Sequence, residues 1–159
     1  MGLSKLLLAI CFMGLTLTHV SLGQNSHQDF VDAHNAARDE VGVGPISWNY
    51  TLAAYALNYA RKRVHDCAME HSMGPYSENL AGGIARTTAV EGVNLWVEEK
   101  QYYDYESNSC VGGECRHYTQ VIWRDTVHVG CARAHCSTGG IFIICDYNPP
   151  GNNDGERPY

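Results

Sequence analysis

Apolar residues recur at helical spacing in three stretches of the chain. Residues 27–41, 50–65 and 87–100 each place apolar side chains three and four positions apart, on one face of a helix. Gly42 follows the first stretch, as glycine commonly does just beyond a helix. A shorter fourth helix is predicted over residues 117–123.

Two strands are predicted towards the C-terminus. Residues 127–135 and 141–147 have strand-like apolar patterns, and the Cys-Ser-Thr-Gly-Gly segment 136–140 suits a hairpin connection. The second strand carries the continuous apolar run Ile-Phe-Ile-Ile-Cys, which favours a central position buried on both faces. A short strand is predicted around residues 78–81. Helices around a mostly antiparallel sheet predict a layered α+β sandwich.

The chain begins with the pattern of a secretory signal. A lysine precedes a short apolar run over residues 6–17, and small residues follow. We expect cleavage after Gly23, giving a signal peptide over 1–23, one domain over 24–148 and a C-terminal tail over 149–159. A buried N-terminal helix or a membrane anchor is the alternative, although the run is shorter than the roughly 20 apolar residues that span a bilayer.

The cysteines also indicate an oxidising compartment. Six remain beyond the predicted cleavage point, and an even number in a secreted chain predicts three disulfide bonds. They are Cys67, Cys110, Cys115, Cys131, Cys136 and Cys145. The sequence leaves about 15 pairings open. A zinc–thiolate site is the alternative, disfavoured because the chain has no Cys-x-x-Cys.

Composition limits the partners of the chain. Hydrophobic residues make up 45% of it, which excludes a disordered protein. Its 17 acidic and 11 basic residues give a net charge of −6, so nucleic acid is not an expected partner, since phosphate binding needs a positive surface. We expect a monomer. The triplet Asn49-Tyr50-Thr51 makes Asn49 a candidate for glycosylation.

Imidazole and carboxylate side chains lie beside apolar or glycine-rich segments. The candidates are His71, Glu78, Glu99 and His117. Such groups could bind zinc or another divalent cation, or act as general acid and base. Glu99 lies about 60° from the apolar Trp96 on the third helix, whereas Glu98 lies nearly opposite, which favours Glu99 for a cleft. Scattered surface side chains are the alternative. His34, on the apolar face of the first helix, is interpreted as a hydrogen-bonded core histidine.

An aromatic segment follows the third helix. Residues 101–105, Gln-Tyr-Tyr-Asp-Tyr, are interpreted as an exposed loop of apolar rings with polar tips. Gln101, Tyr102, Tyr103 and Tyr105 could bind a ligand or pack over the sheet, and the pattern favours packing.

Four motifs carry a resemblance to a known family. His-Tyr-Thr-Gln-Val-Ile-Trp over 117–123 and Ile-Ile-Cys-Asp-Tyr-Asn-Pro-Pro-Gly-Asn over 143–152 resemble the two signatures of the CAP superfamily. This superfamily covers cysteine-rich secretory proteins, antigen five and pathogenesis-related group-one proteins. His-Asn-Ala-Ala-Arg over 34–38 and Glu-Asn-Leu-Ala over 78–81 resemble the other two motifs. Because no further cysteine-rich domain follows, the chain looks like an acidic, secreted pathogenesis-related group-one protein of plants.

The resemblance implies a fold and a cleft. The fold is a three-layer α-β-α sandwich, and the cleft carries two histidines and two glutamates, which match His71, Glu78, Glu99 and His117. Divalent metal, zinc included, is bound by some members, and no cofactor is required. The implied disulfides are Cys67–Cys136, Cys110–Cys115 and Cys131–Cys145.

The resemblance also implies ligands and processing. Members bind sterols and related lipids through a loop that matches residues 101–105. The tail is similar to a peptide that plant members release as a defence signal, through a protease that cuts between Asn148 and Pro149. Two departures from the family pattern are Ser77, where the family usually has glycine and a serine would be strained at a positive φ, and Asp146, where asparagine is usual and which adds a negative charge just before the predicted cleavage point.

We interpret the chain as a plant defence protein of the extracellular space (the apoplast) or the vacuole, acting on fungi or oomycetes by binding sterols or lipids of their membranes. One alternative is a divalent-metal-dependent hydrolase that uses the four cleft side chains. A precursor of a C-terminal signalling peptide is the other. An enzymatic role is less favoured, because no independent nucleophile is evident.

Mass spectrometry of the protein recovered from extracellular fluid tests the processing. We expect a mature chain that starts at Gln24 and has lost six hydrogen atoms to three disulfides. The mass also reports a glycan at Asn49 and the presence of the tail. A chain that keeps residues 1–23 would contradict the signal assignment.

Overall fold

The computed structural model describes residues 24–159, so the predicted signal peptide over 1–23 lies outside the described residues. Within that range it has four α-helices: α1 His27–Glu40, α2 Tyr50–Arg63, α3 Ala89–Val97 and α4 Arg116–Val121. All four predicted helices are confirmed. No helix of residues 24–159 is long and apolar enough to cross a membrane.

The strands form one main sheet and one small ribbon. They are β1 Ser47–Trp48, β2 Ser77–Ile84, β3 Tyr103–Asp104, β4 Ser109–Cys110, β5 His128–His135 and β6 Gly140–Asn148. The main sheet has the order β1-β5-β6-β2, in which only the β1–β5 pair is parallel. The ribbon pairs β3 with β4. The central position predicted for β6 is confirmed, since seven consecutive residues of this strand are buried.

Alternation along β6 builds the three layers. Ile143 and Tyr147 face the core beneath α1, α3 and α4, whereas Phe142 and Ile144 face the core beneath α2. Helix α2 lies close to the sheet at Gly130. A Cβ atom added there would lie 2.1 Å from the backbone nitrogen of Ala53, so only glycine fits this position. The structure is therefore the predicted sandwich of helices on both faces of a mostly antiparallel sheet.

Three disulfides link these elements. Cys67–Cys136 joins the end of the α2 layer to the β5–β6 hairpin, and Cys131–Cys145 joins residues paired directly across β5 and β6. Cys110–Cys115 closes the loop before α4. These are the pairings that the family resemblance implies. Since all six cysteines are bonded, none is available for the alternative zinc–thiolate site.

Side chains fix where the helices begin. Ser26 and Asp29 form a capping box at α1, and Thr88 and Glu91 form another at α3. The third predicted helix divides in two, because the α-helix ends at Val97 and a 3₁₀ turn continues over Glu98–Tyr102. This turn sets the position of Glu99.

Asn49 has a structural role apart from its predicted glycosylation. Its side-chain oxygen accepts hydrogen bonds from the backbone nitrogens of Thr51 (2.9 Å) and Leu52 (3.1 Å) at the start of α2. We expect Asn49→Ala to lower the free energy of unfolding by about 1 kcal/mol, because these donors lose their cap. Asn49→Asp should retain most of that stability, since a carboxylate caps equally well.

The measurement is urea unfolding of protein produced without glycans. Both variants remove the acceptor asparagine, so Asn49→Asp is the matched control. Equal losses in the two variants would contradict the capping role.

Candidate functional site

The first imidazole–carboxylate pair lies at the start of β2. Glu78 Oε2 lies 3.2 Å from His71 Nδ1 and accepts a hydrogen bond from the backbone nitrogen of Ser72 at 2.8 Å. The Ser72 hydroxyl donates to the other oxygen of Glu78. The Glu78 side chain is only 3% exposed, whereas that of His71 is 51% exposed. Glu78 therefore anchors the loop before β2, and His71 presents its ring to solvent.

The second pair lies at the start of α4. Glu99 Oε1 lies 2.7 Å from His117 Nδ1, and Glu99 Oε2 accepts from the backbone nitrogens of His117 (3.1 Å) and Tyr118 (3.3 Å). Glu114 accepts from the preceding two backbone nitrogens, those of Cys115 (3.0 Å) and Arg116 (2.8 Å). Two carboxylates thus satisfy the N–H groups that have no partner inside the helix. Glu98 is exposed and Glu99 is partly buried, which is the difference in burial that their spacing from Trp96 predicts.

Three of the four side chains line one cleft, and the two pairs do not form one ligand set. A cleft of about 410 Å³ is lined by His71, Glu78 and His117, whereas Glu99 lies outside its lining. In the part of the chain that the structure describes, no group of three or more His, Cys, Asp or Glu side chains is arranged to hold a metal ion. The four side chains as placed therefore do not fit the four-ligand metal site that the resemblance implies.

A buried hydrogen-bond chain connects this cleft to the core. Asn79 donates from its side-chain nitrogen to the carbonyl of His117 (2.9 Å) and to the Tyr147 hydroxyl (3.2 Å). His34 bonds the same hydroxyl through Nε2 at 2.9 Å and the Phe30 carbonyl through Nδ1 at 2.7 Å. Because a carbonyl only accepts, His34 Nδ1 donates and Nε2 accepts from Tyr147. The assignment of His34 as a core histidine is confirmed, and burial lowers its pKa to about 4.

The tyrosine segment forms a separate surface. The predicted exposed loop is wrong, because Gln101 and Tyr102 end the 3₁₀ turn and Tyr103 begins the β3–β4 ribbon. The favoured packing is seen for Tyr103, which lies against the main core. Tyr103 packs against Tyr118 of α4, with ring centroids 6.3 Å apart, and lies 6.4 Å from Tyr105. Tyr103, which pairs with Cys110 of β4, has its ring towards Tyr118 of α4 and Tyr159 at the C-terminus. Tyr105 follows β3 and is 39% exposed.

Comparison with known proteins decides the family. The family model described as "Cysteine-rich secretory protein family", CAP, matches residues 31–147.

The chain belongs to the CAP family.

Relatives within it are pathogenesis-related proteins of plants. The chain is 55% identical over 150 residues to the basic form of pathogenesis-related protein 1 of Nicotiana tabacum, covering 94% of this chain and 85% of the relative. It is 47% identical over 156 residues to pathogenesis-related protein 1 of Arabidopsis thaliana, covering 98% and 96%. Among solved structures, the venom allergen-like protein 4 of Schistosoma mansoni matches with a TM-score of 0.67 at 27% identity, covering 83% and 92%. The plant relatives support a role in plant defence.

Asp146, one of the two departures noted from the sequence, has an unusual environment. It is fully buried, and neither of its carboxylate oxygens has a hydrogen-bond partner among the described side chains. Its direct partner across β6 and β2 is Glu78. Burial, and after it the negative charge of the neighbouring Glu78, raise the pKa of Asp146 to about 8. The sequence shows the residue at this position, but the proximity of Asp146 to Glu78 depends on the pairing of β2 with β6.

The other departure, Ser77, carries no backbone strain. It lies in β2, and it is not among the described non-glycine residues with a positive φ. The positive φ considered for Ser77 from the sequence is therefore wrong, because the residue lies in an extended strand.

Asp146→Asn tests the buried carboxyl. Between about pH 4 and pH 8 the unfolded chain releases a proton that folded Asp146 keeps, so wild-type stability falls as the pH rises through this window. Each pH unit corresponds to about 1.4 kcal/mol. We expect Asp146→Asn to raise the free energy of unfolding little at pH 4 and by several kcal/mol at pH 7.5, because asparagine stays neutral at both pH values in the folded and the unfolded chain.

The measurement is thermal unfolding of both proteins at the two pH values. The contribution of His34 is common to both and cancels in the difference. Asp154→Asn changes an exposed carboxyl and is the matched control. Its stability should equal that of wild type at both pH values. An equal gain for Asp146→Asn at both pH values would contradict the proton held at this position.

Proposed function

We propose that this chain is a secreted plant defence protein that binds a sterol or a related lipid of pathogen membranes. Family membership and the similarity to plant pathogenesis-related proteins support the defence role. The signal-like N-terminus and the three disulfides support a location outside the cell. The observation that carries the choice of ligand is the partly exposed pair Tyr103 and Tyr105 packed over the buried Tyr118, and these three residues are called the tyrosine cluster from here on.

The tyrosine cluster has the chemistry that a sterol needs. Tyr105, 39% exposed, and the partly exposed Tyr103 offer flat apolar faces, and the buried Tyr118 supports them from below. Burial raises the pKa of the Tyr103 and Tyr118 hydroxyls, the latter to about 12, so both stay neutral at physiological pH. The Tyr103 hydroxyl donates to Asn108 Oδ1 at 2.8 Å and can still accept a hydrogen bond from the single hydroxyl of a sterol, while the exposed ring of Tyr105 contacts the fused ring system. Binding of this kind requires no chemical step.

The imidazole–carboxylate pairs are not part of this proposal. Glu99 satisfies the N-terminus of α4, and Glu78 holds the backbone at Ser72, so both carboxylates have structural partners. The hydrolase alternative gains no specific support from their arrangement.

Removing one ring of the tyrosine cluster tests the proposal. We expect Tyr105→Ala to weaken the binding of dehydroergosterol, a fluorescent sterol, by about threefold to tenfold, because one aromatic contact is lost. Affinity is measured by fluorescence titration of the full mature chain. Tyr50→Ala is the matched control, since Tyr50 is 74% exposed and lies on α2, outside the tyrosine cluster.

Equal weakening in both variants would contradict a site at the tyrosine cluster. No binding by the wild-type protein would reject sterol as the ligand.

A further inference from the structure

The C-terminal tail, residues 149–159, lies on the tyrosine cluster. The ring of Tyr159 stacks on that of Tyr105, with centroids 4.9 Å apart and planes 29° apart, and it lies 6.4 Å from the ring of Tyr103. The Tyr105 hydroxyl donates to a main-chain oxygen of Tyr159 at 3.0 Å. The last residue of the chain therefore covers part of the face on which an apolar ring system would stack.

Arg157 strengthens this contact. Its guanidinium carbon lies 4.7 Å from the centroid of the Tyr105 ring, a cation–π arrangement. The same guanidinium donates to the carbonyls of Tyr105 and Glu106, the latter at 3.1 Å. Tyr105 is thus engaged at its ring, its hydroxyl and its backbone by two residues of the tail.

Further contacts hold the remainder of the tail. The backbone nitrogen of Arg124 donates to the carbonyl of Pro158 at 2.8 Å, and Asn108 donates to the carbonyl of Glu156 at 2.9 Å. Pro158 is buried, and the tail forms one wall of a cavity of about 240 Å³ whose opposite wall is the segment around the Cys110–Cys115 disulfide. The tail is a docked segment with a defined position.

We propose that the tail is an internal occupant of the ligand surface, so that sterol binding at the tyrosine cluster and undocking of the tail are coupled. This inference rests on the proposed function. The ring of Tyr105 cannot stack on Tyr159 and on a ligand through the same face. A ligand that takes this face displaces Tyr159, and by thermodynamic reciprocity a chain with a loosened tail binds that ligand more tightly.

The coupling also implies that cleavage between Asn148 and Pro149 depends on whether the tail is docked. Asn148 is paired with His128 in the sheet, and the carbonyl of Pro149 accepts from the Thr126 hydroxyl at 2.8 Å. A protease needs an accessible, extended chain, and the docked tail is held both here and at Tyr159. Displacement of Tyr159 by a ligand releases the distal hold, which makes the tail a better substrate.

Two full-length variants test the coupling, and both should change sterol affinity in the direction opposite to Tyr105→Ala. Tyr159→Ala removes the stacked ring, and Arg157→Ala removes the cation over Tyr105 while keeping that ring. We expect each to bind dehydroergosterol about threefold to tenfold more tightly than wild type, because the ligand no longer competes with a full tail contact. Asp154→Asn, an exposed change in the same tail, is the matched control and should bind as wild type does.

A second readout follows the tail itself. The amide hydrogen of Arg124 is bonded to Pro158, so its exchange with deuterium reports docking. Exchange at Arg124 should accelerate in wild type when dehydroergosterol saturates the protein, and in Tyr159→Ala without ligand. Thermal unfolding of each variant confirms that its sandwich stays folded.

The outcomes separate the two proposals. Tighter binding by Tyr159→Ala together with ligand-induced exchange at Arg124 supports the coupling. Sterol binding that is unchanged or weaker in Tyr159→Ala, with Arg124 still protected at saturation, overturns the coupling and leaves the proposed function standing. Absence of sterol binding in wild type and all variants rejects the proposed function and the coupling with it.

Discussion

Burial of strand β6 on both faces is the constraint on which the rest of the structure depends. Because side chains alternate along a strand, its apolar run gives one core to α2 and the other to α1, α3 and α4. The disulfide at Cys145 fixes its pairing with β5. The Tyr147 hydroxyl then joins α1, through His34, to β2, through Asn79. A one-residue slip of β6 would reverse every one of these contacts.

The start of α4 shows why an imidazole beside a carboxylate is weak support for catalysis. The helix has only six residues, so its unbonded N–H groups are a large part of its energetics. Glu99 and Glu114 satisfy them, and the negative charges favour the helix N-terminus. The bond from Glu99 to His117 follows from this arrangement, since the carboxylate that caps the helix also reaches the ring of a first-turn residue. The same geometry would arise in a protein without enzymatic activity.

Local sequence signals predicted the elements that are long and periodic. The four helices, β5, β6 and the preference for Glu99 over Glu98 follow from spacing along one segment. Strands β1, β3 and β4 have two residues each, too few to show alternation. The 3₁₀ turn after Val97 was also missed, because apolar spacing does not distinguish it from a continuing α-helix.

Contacts between segments that are far apart in the sequence cannot be predicted from local apolar spacing. The opposition of Glu78 and Asp146 depends on the register of β2 against β6, and the stacking of Tyr159 on Tyr105 joins residues far apart in the chain. The tail also connects the two surfaces of the molecule, since Gly151 and Asn152 line the cleft while Tyr159 covers the tyrosine cluster. Carboxylates and a disulfide fix α4 between these surfaces, whereas hydrogen bonds, a cation–π contact and stacked rings hold the distal part of the tail. The distal part of the tail is therefore the part that the proposed coupling would release, whereas Gly151 and Asn152 remain bonded to Gln120 and Arg116 beside the cleft.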